Sequence, residues 1–592
     1  MNPASALRVA ALPQRWRARE RCVLVAVGAA SAPALQAAID AWRGDPWRCT
    51  WLHVVLATPA SSAGIDGASV PEADWSMRRS DGDGLQCLLV PAADAESLRQ
   101  LVARADVLFL SPPANVERTS SAMSVARSWA TACARLTAAD ATVIADAAST
   151  PLHAALGGAG FLRNAAGSHT PHETCLAYRR DARVPLRVAA AWQPEDDRDR
   201  RALIVGGGLA GCASAWGLAM LGWRCTVLEA AGELGGTVAA QPSAVFHPLA
   251  HAHDSRHARH ARAAAREARE AVEVACTRHG ALGAADGLLQ CVQDAEPARE
   301  SRRDAAVGSD RMSRLDAAAA SALAGTSITR PACWQADGGW VRPQQLARSF
   351  LERAGSAVDT RFDMHVQAIE RVDGIWRVCD RAGRRLAEAP TLVLANAADA
   401  FRLLGGHWPV TSVRGQSSIA RLSPSQAMDL PRLPLAGGGY LAPTGDGRIV
   451  FGATAHAGDG DPQVRREDHV ANLTRLSAMA PALAHHLDVD ALEGRVGWRC
   501  VARDRLPVVG RAPDGSDTGR RDIARLVPRR PGLFVHAALA SRGVAWCALD
   551  AQVLAALATG TPVPLAADLL ESIDPARFAV RDHRRPARAE GG

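Results

Sequence analysis

"RALIVGGGLAGCASAWGLAMLGWRCTVLEA", Arg201 to Ala230, is the stretch from which the fold is read. A short apolar run leads into Gly206-Gly207-Gly208-Leu209-Ala210-Gly211. Small and apolar residues follow, and a second apolar run, Cys225 to Leu228, ends at Glu229. The order is strand, glycine turn, helix, strand and acid, which begins a doubly wound nucleotide-binding sheet. Gly206 permits the tight turn, Gly208 lets a pyrophosphate come against the backbone, and Gly211 lets helix and strand pack closely. The helix N-terminus stabilises phosphate charge, and Glu229 stands where a carboxylate can accept from ribose hydroxyls. A glycine-rich turn without a ligand is the competing reading, which the placed strand, helix and terminal acid disfavour. "GELGGT" (Gly232 to Thr237), with Gly235 and Gly236, follows closely and favours FAD over NAD.

The rest of the chain bounds the chemistry. Its 592 residues are 48% hydrophobic and 22% charged, enough for several domain-sized units with sizeable cores. A net charge of +7 is compatible with an acidic partner such as RNA. All 68 basic residues are arginine, which removes Schiff-base and P-loop lysine chemistry. The 13 cysteines contain no CxxC pair, which argues against a zinc ribbon or a thioredoxin-like site and fits a reducing cytoplasm. No apolar run approaches the roughly 20 residues needed to span a bilayer.

Upstream, "RCVLVAVGAASAPALQAAI" (Arg21 to Ile39) has two readings: a secretory signal, or a strand, turn and helix. Glu20 interrupts the preceding cations, and Gly28, Ser31 and Pro33 break the apolar stretch, so the second is favoured. Strand-like runs at Trp51 to Ala57, Asp106 to Ser111 and Ala141 to Ala147 alternate with helical segments, the pattern of a parallel sheet. The polar segment Ala190 to Arg201 reads as a linker.

Two C-terminal segments, "GWRCVARDRLPVVG" (Gly497 to Gly510) and "GLFVHAALASRGVAWCALDAQVLAAL" (Gly532 to Leu557), resemble the closing segments of amine-oxidising flavoproteins that include glycine oxidase. The resemblance implies cofactor contacts at Gly510 and Gly543. It makes Arg499 and Arg542 candidates for binding a substrate carboxylate, a task for which the planar guanidinium fork is suited. The alternative is that each pairs with a structural acid.

"FHPLAHAHDSRHARHARAA" (Phe246 to Ala264), "DGGWVRPQQL" (Asp337 to Leu346), "VRGQ" (Val413 to Gln416), "FGAT" (Phe451 to Thr454), "EDHVANL" (Glu467 to Leu473) and "DLLESIDPARF" (Asp568 to Phe578) make the resemblance specific. In this order, along the whole chain, they resemble the MnmC family of bifunctional enzymes that modify the wobble uridine of tRNA. The resemblance implies an α/β chain: a Rossmann-like methyltransferase-type sheet at residues 1–190, a linker at 191–200, and an oxidoreductase domain at 201–580. The last is an FAD-binding Rossmann domain with an inserted α+β substrate domain, like that of glycine oxidase or D-amino-acid oxidase. Residues 581–592 are expected to be a basic disordered tail.

It further implies oxidative removal of the carboxymethyl group from 5-carboxymethylaminomethyl-(2-thio)uridine, with tRNA as partner, no DNA and no membrane. Methylation of the freed amine by S-adenosylmethionine would follow. Tyr440, in "GGGYLAP", is either a substrate contact or a packing residue. The expected cofactor loop Thr237 to Ala244 reads "TVAAQPSA", poorer in glycine and serine than the family's.

His247, His251, His253, His257 and His260 invite a metal reading, but one carboxylate, no cysteine and no matching spacing disfavour it. Arg256, Arg259, Arg262, Arg266 and Arg269 fall on one helical side, where interspersed Glu267 and Glu270 favour a solvated face over an RNA contact.

The methyltransferase half departs from the family at three strand ends. The loop after the first strand, "AVGAASAP", keeps only Gly28. The strand ending at Ala57 lacks the ribose-binding acid, and the third runs into Ser111-Pro112 where an Asp-Gly is expected. Loss of S-adenosylmethionine binding is therefore expected. Two rivals remain: a free amino-acid oxidase of the glycine-oxidase type, and a flavin-stabilised tRNA-binding protein without turnover.

Overall fold

The computed structural model describes the chain except residues 18, 61, 63, 68, 72–73, 80–82, 93, 112–121, 147–149, 165–174, 182, 184–188, 196–198, 237–239, 250–253, 293–310, 517–518 and 585–592. The chain divides into two compact units: Met1–Pro194 with Ala556–Leu570, and Glu195–Ala555 with Glu571–Gly592.

The first unit is built on β1 (Arg21–Val27), whose last six residues are buried, as befits a parallel strand covered on both faces. Around it lie β2 (Trp51–Thr58), β3 (Ser76–Arg79), β4 (Leu85–Pro91), β5 (Ala105–Leu110), β6 (Thr137–Asp146), β7 (Phe161–Arg163) and β8 (Cys175–Arg180). Their order is β3-β4-β2-β1-β5-β6-β8-β7, with β4, β2, β1, β5 and β6 mutually parallel. The chain thus runs outward from β1 on one side and returns to the other, leaving a switch point between β1 and β5, where such sheets bind ligands. The stretch Arg21 to Ile39 is strand, short 3₁₀ turn (Ala29–Ser31) and helix α1 (Ala32–Gly44). Val25 and Leu108 head one apolar layer, and Leu24 and Trp42 the other. A late segment completes this unit: Val563 N donates to Val102 O (2.9 Å) and Ala567 N to Gln100 O (2.8 Å). Nothing in the periodicity of residues 556–570 announces that return.

In the second unit β9 (Arg201–Val205) pairs in parallel with β10 (Arg224–Leu228) and with Thr391–Leu394, and helix α2 (Leu209–Ala219) follows the glycine turn. The sheet order is Val358–Arg361, β10, β9, Thr391–Leu394, Arg529–Ala537, Val508–Pro513; only the last strand is antiparallel to its neighbour. An inserted nine-stranded sheet contains the strands Val410–Arg421, Tyr440–Pro443, Arg448–Gly452 and Glu493–Ala502. Arg581 to His583, expected in a disordered tail, instead end a helix, Arg577–His583, whose Arg581 pairs with Asp504 at 2.6 Å. That ion pair and the burial of Phe578 keep the segment folded. The remainder of the expected tail, 585–592, lies outside the described residues.

Candidate active site

Four parallel strands of the second unit end at one cavity of about 800 Å³, which Val205, Leu228, Ala395 and Ala537 line. The glycine turn forms its floor. Gly206 has φ +106°, and a Cβ there would stand 2.8 Å from Ala395 O, so only glycine fits. Gly207 N donates to Glu229 Oε2 (2.6 Å) and Ala231 N to Glu229 Oε1 (2.9 Å), which aims the carboxylate across the turn. At Gly208 a Cβ would meet no protein atom within 4 Å, so the space it would enter is left for a ligand. Gly211 does not line the cavity; a Cβ there would collide with Gly206 O, so its absence lets α2 pack on β9.

Gly206, Gly208, Glu229, Gly235, Gly236 and Gly543 all line the cavity. Gly510 does not. It sits opposite Val535 in Val508–Pro513, the outermost strand, one removed from the strand that ends at the cavity. Three buried polar atoms on the wall lack any partner: Ser243 Oγ, Asn396 Oδ1 and His536 Nε2. Orphaned buried polar atoms are costly, and a dinucleotide has the phosphate, ribose and ring groups to satisfy them. The residues present therefore fit FAD. Gln241 and Ser243 also belong to the divergent loop, so it still faces the cavity; 237–239 lie outside the described residues.

The inserted sheet supplies the other wall. Register places Val413 opposite Arg499, Gly415 opposite Gly497, and Gly452 opposite both Ser417 and Tyr440. The Arg499 side chain lies across Gly415, where any Cβ would collide with its Nη2. Its Nη2 donates to the carbonyl of Thr454. Arg542 Nη1 points to His247 O at 3.4 Å. Neither arginine has a carboxylate partner among the described residues, so neither pairs with a structural acid. Burial lowers both guanidinium pKa values, Arg542 to about 10, which leaves both charged at neutral pH. Tyr440 stands beside Ser417, and burial pushes its phenol up to about 12. Ser417 Oγ in turn donates to Gln241 Oε1 at 2.7 Å.

His247 also lines the cavity. Burial first, then Arg542, lowers it to about 4, so it stands as a neutral imidazole. Sequence reading grouped it with four other histidines as a metal candidate and missed this placement. His251 and His253 lie outside the described residues, and among those described no three metal-ligating side chains converge.

In the first unit, the parallel ladder continues one residue past the strand ends, as it does at the cavity of the second unit. Gly28 N donates to Ala57 O (2.8 Å), Ser111 N to Val27 O (2.9 Å) and Ala92 N to Thr58 O (2.9 Å). Ser31, fully buried, donates its hydroxyl to Gly28 O at 2.6 Å, and Pro33 occupies the first turn of α1, where it removes a backbone donor. Thr58 and Ser111 stand at the ends of β2 and β5 in place of carboxylates; residues 112–121 are outside the described set.

Comparison with known proteins follows this division. A family profile described as "FAD dependent oxidoreductase" matches residues 201–557. The "tRNA 5-methylaminomethyl-2-thiouridine biosynthesis bifunctional protein MnmC" of Methylibium petroleiphilum is 35% identical over 606 residues, 96% of this chain and 92% of its own. That of Paraburkholderia phytofirmans is 33% identical over 622 residues, covering 98% and 93%. Among solved structures, L-proline dehydrogenase from P. horikoshii is similar with a TM-score of 0.52 at 17% identity, covering 65% of this chain and 98% of its own, a likeness of fold alone.

Proposed function

The chain belongs to the MnmC family, and from that membership we propose that it is an FAD-dependent oxidoreductase that removes the carboxymethyl group from 5-carboxymethylaminomethyl-(2-thio)uridine in tRNA. The observation that carries the reading is a pair of recessed guanidinium groups, Arg499 and Arg542, on the wall of the cavity that the glycine turn floors, with no acid partner among the described residues. Desolvated cations without counter-charge are costly, and a carboxylate arm repays that cost through charge-assisted hydrogen bonds.

Gly206, Gly208, Glu229, Gly235, Gly236 and Gly543 hold the cofactor, whose chemistry there is acceptance of a hydride from the carbon beside the amine. Arg499 and Arg542 anchor the carboxylate and so fix which carbon faces the cofactor. Their positive charge also disfavours protonation of the nearby secondary amine, and only the neutral amine can release hydride. His247, kept neutral, adds no third cation to the site. Tyr440 contacts the substrate at the cavity wall. Water then hydrolyses the imine, releasing glyoxylate and leaving a primary amine on the uridine.

The first unit, by this reading, no longer methylates that amine. The missing strand-end carboxylates, and Pro33 in the first turn of α1, support this. None of the 13 cysteines is in a disulfide, consistent with action in a reducing compartment such as the cytoplasm, and among the described residues no helix is long and apolar enough to cross a membrane.

The test is glyoxylate release by the full chain from tRNA carrying the carboxymethylaminomethyl uridine, compared with free glycine and sarcosine. Release from the tRNA alone is expected. Turnover of glycine or sarcosine at equal efficiency would instead identify a free amino-acid oxidase, and release from none of the three would leave a non-catalytic tRNA-binding protein.

A further inference from the structure

Arg499 owes its aim to two backbone features, the bare Cα of Gly415 and the carbonyl of Thr454, and neither is rigid by itself. What holds them is a buried polar lattice behind the cavity wall. Thr454 is clamped to the strand Val410–Arg421 twice: its N donates to Gln416 O, and its Oγ1 accepts from Gln416 N, both at 3.1 Å. Asp468, 4% exposed on the helix Arg466–Ser477, accepts from Arg414 Nη1 at 2.6 Å and from His456 Nε2 at 2.8 Å. Arg414, fully buried and adjacent to Gly415, further donates to Asp461 O at 2.7 Å and to the carbonyl of Gln463. Gln416 closes the lattice by bonding both backbone groups of Arg465, each at 2.7 Å. Asp468 therefore holds Arg414, the residue before Gly415, and Arg414 Nη2 reaches Gln416 Oε1 (3.3 Å), whose backbone clamps the residue whose carbonyl receives Arg499.

We propose that Asp468 is a positioning residue for Arg499, fixing through Arg414, and through Gln416 beyond it, where the guanidinium meets the substrate carboxylate. The inference rests on the carboxylate-anchor reading above. Asp468 does not line the cavity and touches neither substrate nor cofactor. Nor does it act as a counter-ion: the groups that shift Arg499 are its own burial and Tyr440, and Asp468 is not among them. Its influence is geometric. Burial alone would raise its carboxyl pKa, but the donors from Arg414 and His456 outweigh burial and hold it below the usual carboxylate value, so the lattice persists at neutral pH.

The experiment is a double-mutant cycle on the full-length holoenzyme. The probe is methoxyacetate, a carboxylate shaped like sarcosine but without an oxidisable amine, with binding followed by perturbation of flavin absorbance. Asp468→Asn is expected to weaken methoxyacetate about tenfold beside intact Arg499 and to cost almost nothing further in an Arg499→Ala background, since coupled residues are non-additive. With the tRNA substrate, KM should rise while kcat stays within about twofold, the pattern of lost binding geometry. Arg414→Lys keeps the buried cation but loses the guanidinium fork that reaches Asp468, and should weaken methoxyacetate in the same direction; it carries the cycle should Asp468→Asn not retain flavin. Equal losses in both backgrounds would overturn the positioning role while leaving the carboxylate anchor intact. A wild-type enzyme that ignores methoxyacetate overturns both.

Discussion

A guanidinium in a protein interior ordinarily meets a carboxylate, because its desolvation is otherwise unrepaid. This chain follows that rule at Arg414 with Asp468 (2.6 Å), Arg529 with Asp574 (2.8 Å) and Arg577 with Asp504 (2.9 Å). Arg499 and Arg542 depart from it: among the described residues, each side chain meets a backbone carbonyl and no carboxylate. The contrast within one molecule separates structural arginines from arginines kept for a ligand. Truncating either one should therefore cost substrate and spare the fold. Arg499→Ala and Arg542→Ala are each expected to lower kcat/KM by about ten- to a hundredfold, the equivalent of about 1.5–3 kcal/mol for a charge-assisted hydrogen bond. Flavin content, read from the ratio of visible to ultraviolet absorbance, should be unchanged. Wild-type kcat/KM in both variants would remove them from the substrate site. Arg499→Lys should restore little, since an ammonium lacks the planar fork.

The element β9–turn–α2 uses its glycines for different purposes, and the structure separates them. Gly208 leaves open space; Gly211 permits contact. A Cβ at 208 would meet no protein atom within 4 Å, so a side chain there extends into the space of a bound pyrophosphate. A side chain at 211 would press on Gly206 O and drive helix from strand. Gly208→Val should thus yield a protein whose apo form melts like wild-type apoprotein but which purifies colourless. Gly211→Ala should be destabilised by about 1–3 kcal/mol, the usual cost of overpacking. Thermal melting of flavin-stripped protein checks both. A Gly208→Val variant that stays yellow, or a Gly211→Ala variant as stable as wild type, would contradict the assignment. The corresponding turn after β1 keeps only Gly28, and its Ser31 bonds Gly28 O through both N–H and hydroxyl within the loop.

At the scale of the whole molecule, the first unit keeps a parallel sheet with two apolar layers and a switch point, yet carries no carboxylate at the described ends of β1, β2 and β5. Fold stability resides in the layers and ligand chemistry in the strand ends, so one survives loss of the other. Titration calorimetry of the full chain with S-adenosylmethionine should give no binding heat, and tRNA bearing the deprotected primary amine should receive no methyl group. The full chain is the right material, because Ala556–Leu570 belongs to this unit and a fragment ending at residue 194 would lack it. Micromolar binding with methyl transfer would mean that the loop Gly28 to Pro33 is divergent and still competent.

The sequence by itself determined the elements and their local logic. Glycine positions, an alternation of strands and helices, and an acid closing β10 are consequences of backbone geometry within some 30 residues, and they are legible because local sterics admit few substitutes. Arg499 and Arg542 were legible as candidates, but whether each meets an acid was not. Only the tertiary structure decided that, along with the convergence of Gln241, Ser243, His247 and Asn396 on one cavity and the seating of Gly510 away from it. It likewise decided the return of Ala556–Leu570 to the first unit. These features join residues hundreds of positions apart, brought together where parallel strands end. No periodicity within an element records which distant strand will lie beside it, because that choice is made by the burial of whole apolar faces as the chain closes its long loops.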